Sequence, residues 1–246
     1  MNREYHRWFS ENLGQDTELL IFGHAGARVL VFPTRTGRFY EYEDRGMVHV
    51  LRDGLVSGKL QLFCVDSYDP YSLYDRSIRP RERILRLVDF ENYILHEVLP
   101  LSEGKNTGSP LVAHGCSLGA FHAVNIAFRH PSLFNGLLAL SGRYDLTRSF
   151  GCFSDLLDGY YDEDVYFNTP SHFIPNLTDQ SLLSRLRQID IKLAIGEADA
   201  FLENNRALSQ ALWDKGIWHT FHVWNGEAHA FRQWREMLQV CSFPCT

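Results

Sequence analysis

The feature that most constrains the fold of this chain is a Gly-x-Ser-x-Gly motif at residues 115–119. The apolar run at 110–113 before it predicts a short buried strand, and 118–130 has the apolar spacing of a helix. A serine in so tight a strand-to-helix turn has a strained backbone, and its hydroxyl is exposed above the sheet. A Cβ on either flanking glycine would collide with the neighbouring strand or helix. The motif predicts that Ser117 is a nucleophile, against the alternative of a hydrogen-bonded turn serine.

The rest of the chain alternates predicted strands with predicted helices. Strands are predicted at 60–65, 111–113, 137–141, 191–195 and 220–224, and helices at 46–58, 81–101, 118–130, 204–215 and 231–240. Residues 17–23 and 27–33 predict an antiparallel hairpin at one edge of the sheet, and Pro100 is expected to end the helix at 81–101. This order predicts an α/β fold: a mostly parallel sheet flanked by helices, in one domain that spans residues 1–246.

Composition limits the partners of the chain. A formal net charge of −6 over 246 residues argues against a nucleic acid or an anionic membrane as partner. The N-terminal residues lack the apolar core of a signal peptide, which predicts a cytoplasmic protein. The odd number of five cysteines predicts free thiols in a reducing compartment. Cys241 and Cys245 could suggest a metal clip, but no second ligand pair has the spacing of a zinc site. We therefore expect no metal and no cofactor, and homo-oligomerisation stays open.

A serine nucleophile needs a general base, and that base needs an acid to orient it. His229 follows the last predicted strand on a loop and is the predicted base, against a surface loop histidine. Asp199 follows the preceding strand and is the predicted acid, with Asp145 and Glu197 as alternative acids. The alternative role for Asp199 is the N-cap of the helix that follows. The resulting order of serine, aspartate and histidine is typical of this sheet topology.

The tetrahedral intermediate also needs two N–H donors for its oxyanion. One is predicted to be the backbone N–H of Leu118, at the start of the helix. The second is expected from the loop at 34–38, with Arg35 or Thr34 as donor. Arg35 and Arg38 could also meet an anionic substrate group, or remain solvated on the surface.

The stretch between Asp145 and Asp190 contains no predicted strand and many aromatic residues. It predicts a cap-like insertion at about 146–190 that overhangs the nucleophile, or else a satellite hydrophobic cluster. Under the first interpretation Tyr160 and Tyr161, together with Thr34, line a substrate pocket that favours small acyl groups.

With these residues in place, the chain resembles the α/β-hydrolase superfamily and, within it, the esterase D-like group. The resemblance covers nearly the whole length, and its stretches are residues 31–34, 37–40, 62–67, 115–119, 122–123, 157–161, 196–199, 228–229 and 234–237. It departs at Ala120 and Ala228, where glycine is common. The resemblance implies a serine esterase whose triad is Ser117, Asp199 and His229.

The leading hypothesis is a serine hydrolase that cleaves small-molecule carboxylic esters, with small acyl groups, through an acyl-enzyme. Acyl transfer or thioester hydrolysis by the same triad is the first alternative, since the fold does not fix the acyl acceptor. A non-catalytic binding protein of the same fold is the second.

Overall fold

The centre of the fold is one eight-stranded sheet, seen in a computed structural model that describes residues 1–226 and 228–243. Its strands are β1 (Arg3–Ser10), β2 (Gln15–Phe22), β3 (Ala27–Phe32), β4 (Leu60–Val65), β5 (Leu111–Cys116), β6 (Gly136–Leu140), β7 (Asp190–Gly196) and β8 (Thr220–Trp224). They lie in the order β1-β2-β4-β3-β5-β6-β7-β8. In this order, all neighbouring strands from β4 through β3 to β8 pair in parallel, whereas β2 is antiparallel to both β1 and β4. The sheet is therefore mostly parallel, as predicted.

Helices cover both faces of this sheet. They are α1 (Glu41–Asp44), α2 (Met47–Val50), α3 (Arg52–Val56), α4 (Pro80–Tyr93), α5 (Leu99–Lys105), α6 (Leu118–Arg129), α7 (Glu163–Phe167), α8 (Pro170–Asn176), α9 (Gln180–Leu186), α10 (Leu202–Asp214) and α11 (Phe231–Cys241). Alternate residues of β3 enter opposite cores: Leu30 lies in the core that includes Tyr93 of α4, and Val31 in the core that includes Trp234 of α11. Burial of both faces explains why β3 is apolar without interruption over 29–32.

The predicted hairpin between residues 17–23 and 27–33 is wrong. Both segments are strands, but β4 lies between them, and β2 forms its hairpin with β1 at the sheet edge. The chain leaves β2 through Gly26, where a Cβ would lie 2.1 Å from the backbone of Lys59. This close approach brings β3 into the sheet beside β4 and β5 instead of beside β2.

Pro100 does not end the long helix, contrary to prediction. The π-helical turn Ile94–Val98 follows α4 directly and leads into α5, where Pro100 lies in the first turn. The helical chain therefore continues through Pro100, and the π-helical turn just before the proline is where the regular α-helical bonding changes.

The aromatic-rich stretch at 146–190 contains the three short helices α7, α8 and α9, and the rest of it is mostly loop. Leu156, Leu157 and Val165 pack against Ile84 and Leu87 of α4 in a separate small core. Across residues 1–226 and 228–243, no helix combines the length and apolar character needed to cross a lipid bilayer.

Candidate active site

Ser117 occupies the sharp turn between β5 and α6. Its backbone angles of φ 57° and ψ −120° are rare for a residue with a side chain, and its N–H donates to the carbonyl of Leu140 at 2.9 Å. A Cβ on Gly115 would lie 2.2 Å from the carbonyl carbon of Gly119. A Cβ on Gly119 would lie 2.4 Å from the carbonyl oxygen of Phe32. Both glycines therefore allow the turn to pack this closely against its neighbours, as the motif predicts.

The structure brings the three predicted polar side chains together at the carboxyl edge of the sheet. His229 Nε2 lies 2.9 Å from Ser117 Oγ, and His229 Nδ1 lies 2.8 Å from Asp199 Oδ2. The Asp199 carboxylate is almost fully buried, and its other oxygen accepts the Phe201 N–H at 3.0 Å. A carboxylate can only accept a hydrogen bond, so His229 Nδ1–H donates to Asp199. His229 Nε2 then carries no hydrogen and accepts a hydrogen bond from the Ser117 hydroxyl.

The alternative acids lie away from the histidine. Asp145 accepts the backbone N–H of Thr147 at 2.9 Å and lies 3.4 Å from His172 Nε2. Burial raises the pKa of Asp145, but hydrogen bonds from His172 and Thr147 outweigh burial and lower it overall. Glu197 accepts the backbone N–H of Gly226 at 3.0 Å. Both carboxylates therefore have other roles.

Two carboxylates hold the loop at 34–37. The Thr34 N–H donates to Glu41 Oε2 at 2.8 Å, and its hydroxyl donates to Oε1 at 2.7 Å. The Thr36 N–H, at φ 56°, donates to Asp69 Oδ2 at 3.2 Å. Between them, the Arg35 N–H has no partner among the described residues. The sequence leaves two candidates for the second oxyanion donor. The backbone N–H of Thr34 is already bonded to Glu41, and the backbone N–H of Arg35 is available.

The first N–H of α6 belongs to Leu118 and has no intrahelical partner because of its position. It lies at the positive end of the helix dipole, where negative charge is stabilised. His122, one turn further along α6, bonds to Asp69 Oδ1 at 2.9 Å, and both side chains are buried. Since Asp69 also holds Thr36, this contact links the helix to the loop that carries Arg35.

A cleft of about 520 Å³ opens over these groups. It is lined by Thr34, Arg35, Arg45, Tyr74, Ser117, Leu118, Arg143, Phe153, Phe201, His229, Ala230, Phe231 and Trp234. Three of the aromatic rings surround the imidazole of His229, with centroids 5.3 Å away for Trp234, 5.7 Å for Phe201 and 6.1 Å for Phe153. Apolar walls around a few polar groups are typical of a small-molecule site.

The expectation that Tyr160 and Tyr161 line this cleft is corrected by the structure. The Tyr160 hydroxyl donates to Asp162 at 2.6 Å, and the ring packs on the small core beside α4. Tyr161 is 54% exposed, and its hydroxyl lies 3.1 Å from His172 Nδ1. Among the described residues of the 146–190 insertion, it is Phe153 that lines the cleft.

Several residues of the cleft were not predicted. Arg143 follows β6 at the same sheet edge as Ser117, so the rule that parallel strands end together could have identified it. Trp234 follows His229 by five residues, at the start of α11. Arg45 and Tyr74 arrive from connections outside the predicted catalytic loops, and no sequence pattern marks them.

The described residues contain no group of three or more His, Cys, Asp or Glu side chains arranged to hold a metal ion. Cys64, Cys116, Cys152 and Cys241 are free thiols. Cys245, the second cysteine of the pair considered above as a metal clip, lies outside the described residues.

Comparison with known proteins identifies a family and a set of similar folds. The model of the Esterase family, described as "Putative esterase", matches residues 34–242. A ferulic acid esterase structure is similar with a TM-score of 0.78 at 18% identity, over 98% of this chain and 95% of that one. Comparison with curated protein sequences gave no match.

Two further structures share the fold. An S-formylglutathione hydrolase from Agrobacterium tumefaciens is similar with a TM-score of 0.73 at 15% identity, over 97% of this chain and 92% of that one. A CE1 ferulic acid esterase from Anaeromyces mucronatus, in complex with ferulic acid, has a TM-score of 0.73 at 13% identity, over 97% of this chain and 88% of that one. At these identities the similarity establishes the fold.

Proposed function

Since the chain belongs to the Esterase family and is a carboxylic ester hydrolase, we propose that Ser117, His229 and Asp199 form its catalytic triad. The observation that carries this proposal is the continuous hydrogen-bonded series from the Ser117 hydroxyl through His229 to the Asp199 carboxylate, with contacts of 2.9 and 2.8 Å. The serine stands on a strained turn at the mouth of a cleft, where a substrate carbonyl can approach it.

In the proposed mechanism Ser117 Oγ attacks the ester carbonyl carbon and its proton passes to His229 Nε2. The negative charge that develops on the carbonyl oxygen is stabilised by the N–H groups of Leu118 and Arg35. The intermediate collapses to an acyl-enzyme, and the alcohol leaves with the proton from His229. Water then attacks the acyl-enzyme with His229 as base, which releases the carboxylic acid and restores Ser117.

The acyl group in this proposal is small. A long alkyl chain in the cleft would lie against the guanidinium groups of Arg35 and Arg143 and remove water from them without a replacement partner. We expect kcat/KM for p-nitrophenyl acetate to butyrate to exceed that for octanoate. In an open apolar groove, each added CH₂ would instead stabilise the bound transition state by up to about 0.8 kcal/mol. A steady rise in kcat/KM out to dodecanoate would therefore contradict this part of the proposal.

The test of the triad is hydrolysis of p-nitrophenyl acetate by matched variants. Ser117→Ala should lose at least about 10³-fold in kcat, His229→Ala nearly as much, and the double variant little more, because the triad acts as a unit. Asp199→Asn should lose less than His229→Ala. A fluorophosphonate should label Ser117 in the wild type.

Exposed residues provide the controls: Ser57→Ala and His49→Ala remove the same groups outside the cleft and should leave kcat unchanged. A Ser117→Ala enzyme with a tenth of wild-type turnover would refute the nucleophile. An inactive, folded Asp145→Asn beside an active Asp199→Asn would refute the acid.

A further inference from the structure

Three arginines line the cleft beside the proposed nucleophile: Arg35, Arg45 and Arg143. None of them forms an ion pair with a carboxylate among the described residues. The described lining of the cleft also contains no aspartate and no glutamate. This arrangement differs from that of Arg38, in the same loop as Arg35, whose guanidinium pairs with Asp66 at 2.8 Å.

Arg143 is the buried member of the set, with 3% of its surface exposed. Its Nε donates to the carbonyl of Asp145 at 3.0 Å, and its Nη2 donates to the carbonyls of Arg148 and Ser154 at 2.7 and 2.9 Å. Its Nη1 has no hydrogen-bond partner in the part of the chain that the structure describes. Burial lowers the pKa of this guanidinium, yet arginine stays protonated in proteins. A fixed, buried cation with an unused donor therefore borders the cleft.

Arg35 and Arg45 are exposed and are held by aromatic faces. The guanidinium carbon of Arg35 lies 5.5 Å from the centroid of Tyr74, and that of Arg45 lies 5.4 Å from the centroid of Phe231. Tyr74 and Phe231 also line the cleft. Stacking on a ring positions a guanidinium without neutralising its charge. Arg35 also has a side-chain hydrogen bond to Tyr74, and its remaining N–H groups stay available. Both side chains are thus oriented at the site and remain able to bind an anion.

We propose that the ester hydrolysed at this site carries a carboxylate, and that Arg143 binds this group with Arg35 and Arg45 around it. A guanidinium offers parallel N–H donors that match the two oxygens of a carboxylate. The inference rests on the proposed function, because it names the class of substrate presented to Ser117. It assigns the guanidinium groups of the three arginines to specificity, whereas the backbone N–H of Arg35 keeps its proposed role in the chemical step.

The test compares esters that differ only in a carboxylate or its carboxamide. On the acyl side, mono-p-nitrophenyl adipate is paired with p-nitrophenyl adipamate. On the alcohol side, 4-carboxyphenyl acetate is paired with 4-carbamoylphenyl acetate. The wild type should prefer the carboxylate in at least one pair by about 10- to 100-fold in kcat/KM, the range expected for hydrogen bonds to a charged group. This preference should fall as ionic strength rises, because two of the three cations are exposed.

Variants then assign the preference to the arginines. The double variant Arg35→Gln/Arg45→Gln removes two charges and leaves the hydrogen bonds of Arg143 in place. It should reduce the carboxylate-to-carboxamide ratio at least about tenfold. Arg143→Gln should reduce it further, and Arg143→Lys, which keeps the charge but loses the planar fork, should fall between. Arg79→Gln removes one positive charge, as Arg143→Gln does, at a side chain that is 81% exposed and outside the cleft. Its ratio should match that of the wild type.

The outcomes separate the two proposals. Hydrolysis that depends on Ser117 but shows a ratio near one for both pairs in the wild type would overturn the inference and leave the triad intact. A strong preference that persists in the double variant and in both folded Arg143 variants would also overturn it. If Ser117→Ala hydrolysed all four esters at the wild-type rate, both proposals would fall together.

Discussion

Gly119 tests whether close packing around the nucleophile turn positions the proposed oxyanion donors. A Cβ on this residue would lie 2.4 Å from the carbonyl oxygen of Phe32 and 2.5 Å from that of Pro33. Both contacts are with backbone, where β3 runs into the loop that carries Arg35. Because real Cβ contacts essentially never fall below 3.0 Å, Gly119→Ala must move α6 and this strand end apart by roughly 0.6 Å.

The size of the effect follows from this displacement. Overpacking of a closed contact costs about 1–3 kcal/mol of unfolding free energy. Catalytic groups must be held within about 0.5 Å of their productive geometry, and loss of one oxyanion donor costs about 10²–10³-fold in kcat. We therefore expect Gly119→Ala to lose about 1–3 kcal/mol of stability and about 10²-fold in kcat. KM should change little, since these donors act on the charge that develops in the transition state.

The assay combines urea unfolding with steady-state hydrolysis of p-nitrophenyl acetate. Gly104→Ala is the matched control, because Gly104 lies in α5 and its Cβ would have no neighbour within 4 Å. It should gain about 0.5–1 kcal/mol from the lower flexibility of the unfolded chain and keep wild-type kcat. A Gly119→Ala enzyme with wild-type stability and wild-type kcat would refute the reasoning.

Three further predictions concern the surroundings of the site. Burial lowers the pKa of His114 from 6.5 to about 4, so the unfolded chain binds a proton at higher pH than the folded chain does. The contribution of neutral His114 to the free energy of unfolding is therefore complete above pH 6.5. It is lost as the pH falls towards 4, by up to about 3 kcal/mol. His114→Gln should flatten this dependence in urea unfolding, and equal slopes would contradict the argument. Asp69→Asn, which weakens the hold on the Thr36 N–H, should lower kcat about tenfold with little change in KM; an unchanged kcat would show that the loop does not need this bond. Phe153→Ala should shift the chain-length profile of p-nitrophenyl esters, whereas Tyr161→Ala should leave it unchanged, and the reverse result would restore the tyrosine to the pocket.

The strands of the fold could be predicted where they are buried on both faces, and so could their mostly parallel direction. The order in which the strands lie in the sheet could not be predicted. The apolar runs of β3, β4 and β5 identify them directly, since both sides of a parallel strand are covered. Strand β1 has the polar sequence of an edge strand, in which alternate residues are exposed, so a search for apolar runs does not identify it. The false hairpin shows the limit clearly: β2 and β3 are neighbours in sequence, yet a later strand lies between them.

The site could be predicted where chain order and strand ends restrict it. Asp199 and His229 each follow a parallel strand, so the topology alone directs them to the edge where Ser117 stands. The prediction for Tyr160 and Tyr161 rests on the aromatic composition of the insertion, and composition does not specify the direction in which a side chain points. The chain turns through Asp158 and Gly159, both at positive φ. Tyr160 then lies beside α4, and Tyr161 lies beside His172 of α8.

The electropositive cleft follows from the way the catalytic loops are held. The chain carries a net charge of −6, and several carboxylates lie near the site. Glu41 accepts from Thr34, Asp69 from Thr36 and His122, and Asp199 from His229 and Phe201. Their lone pairs therefore face backbone and imidazole donors and not the arginines, whose guanidinium groups lie over aromatic rings. Because these carboxylates hold the loop and the histidine in place, positive charge at the cleft stays uncompensated. Apolar walls then concentrate its field on an approaching substrate, which favours an anionic ester over a neutral one of the same shape.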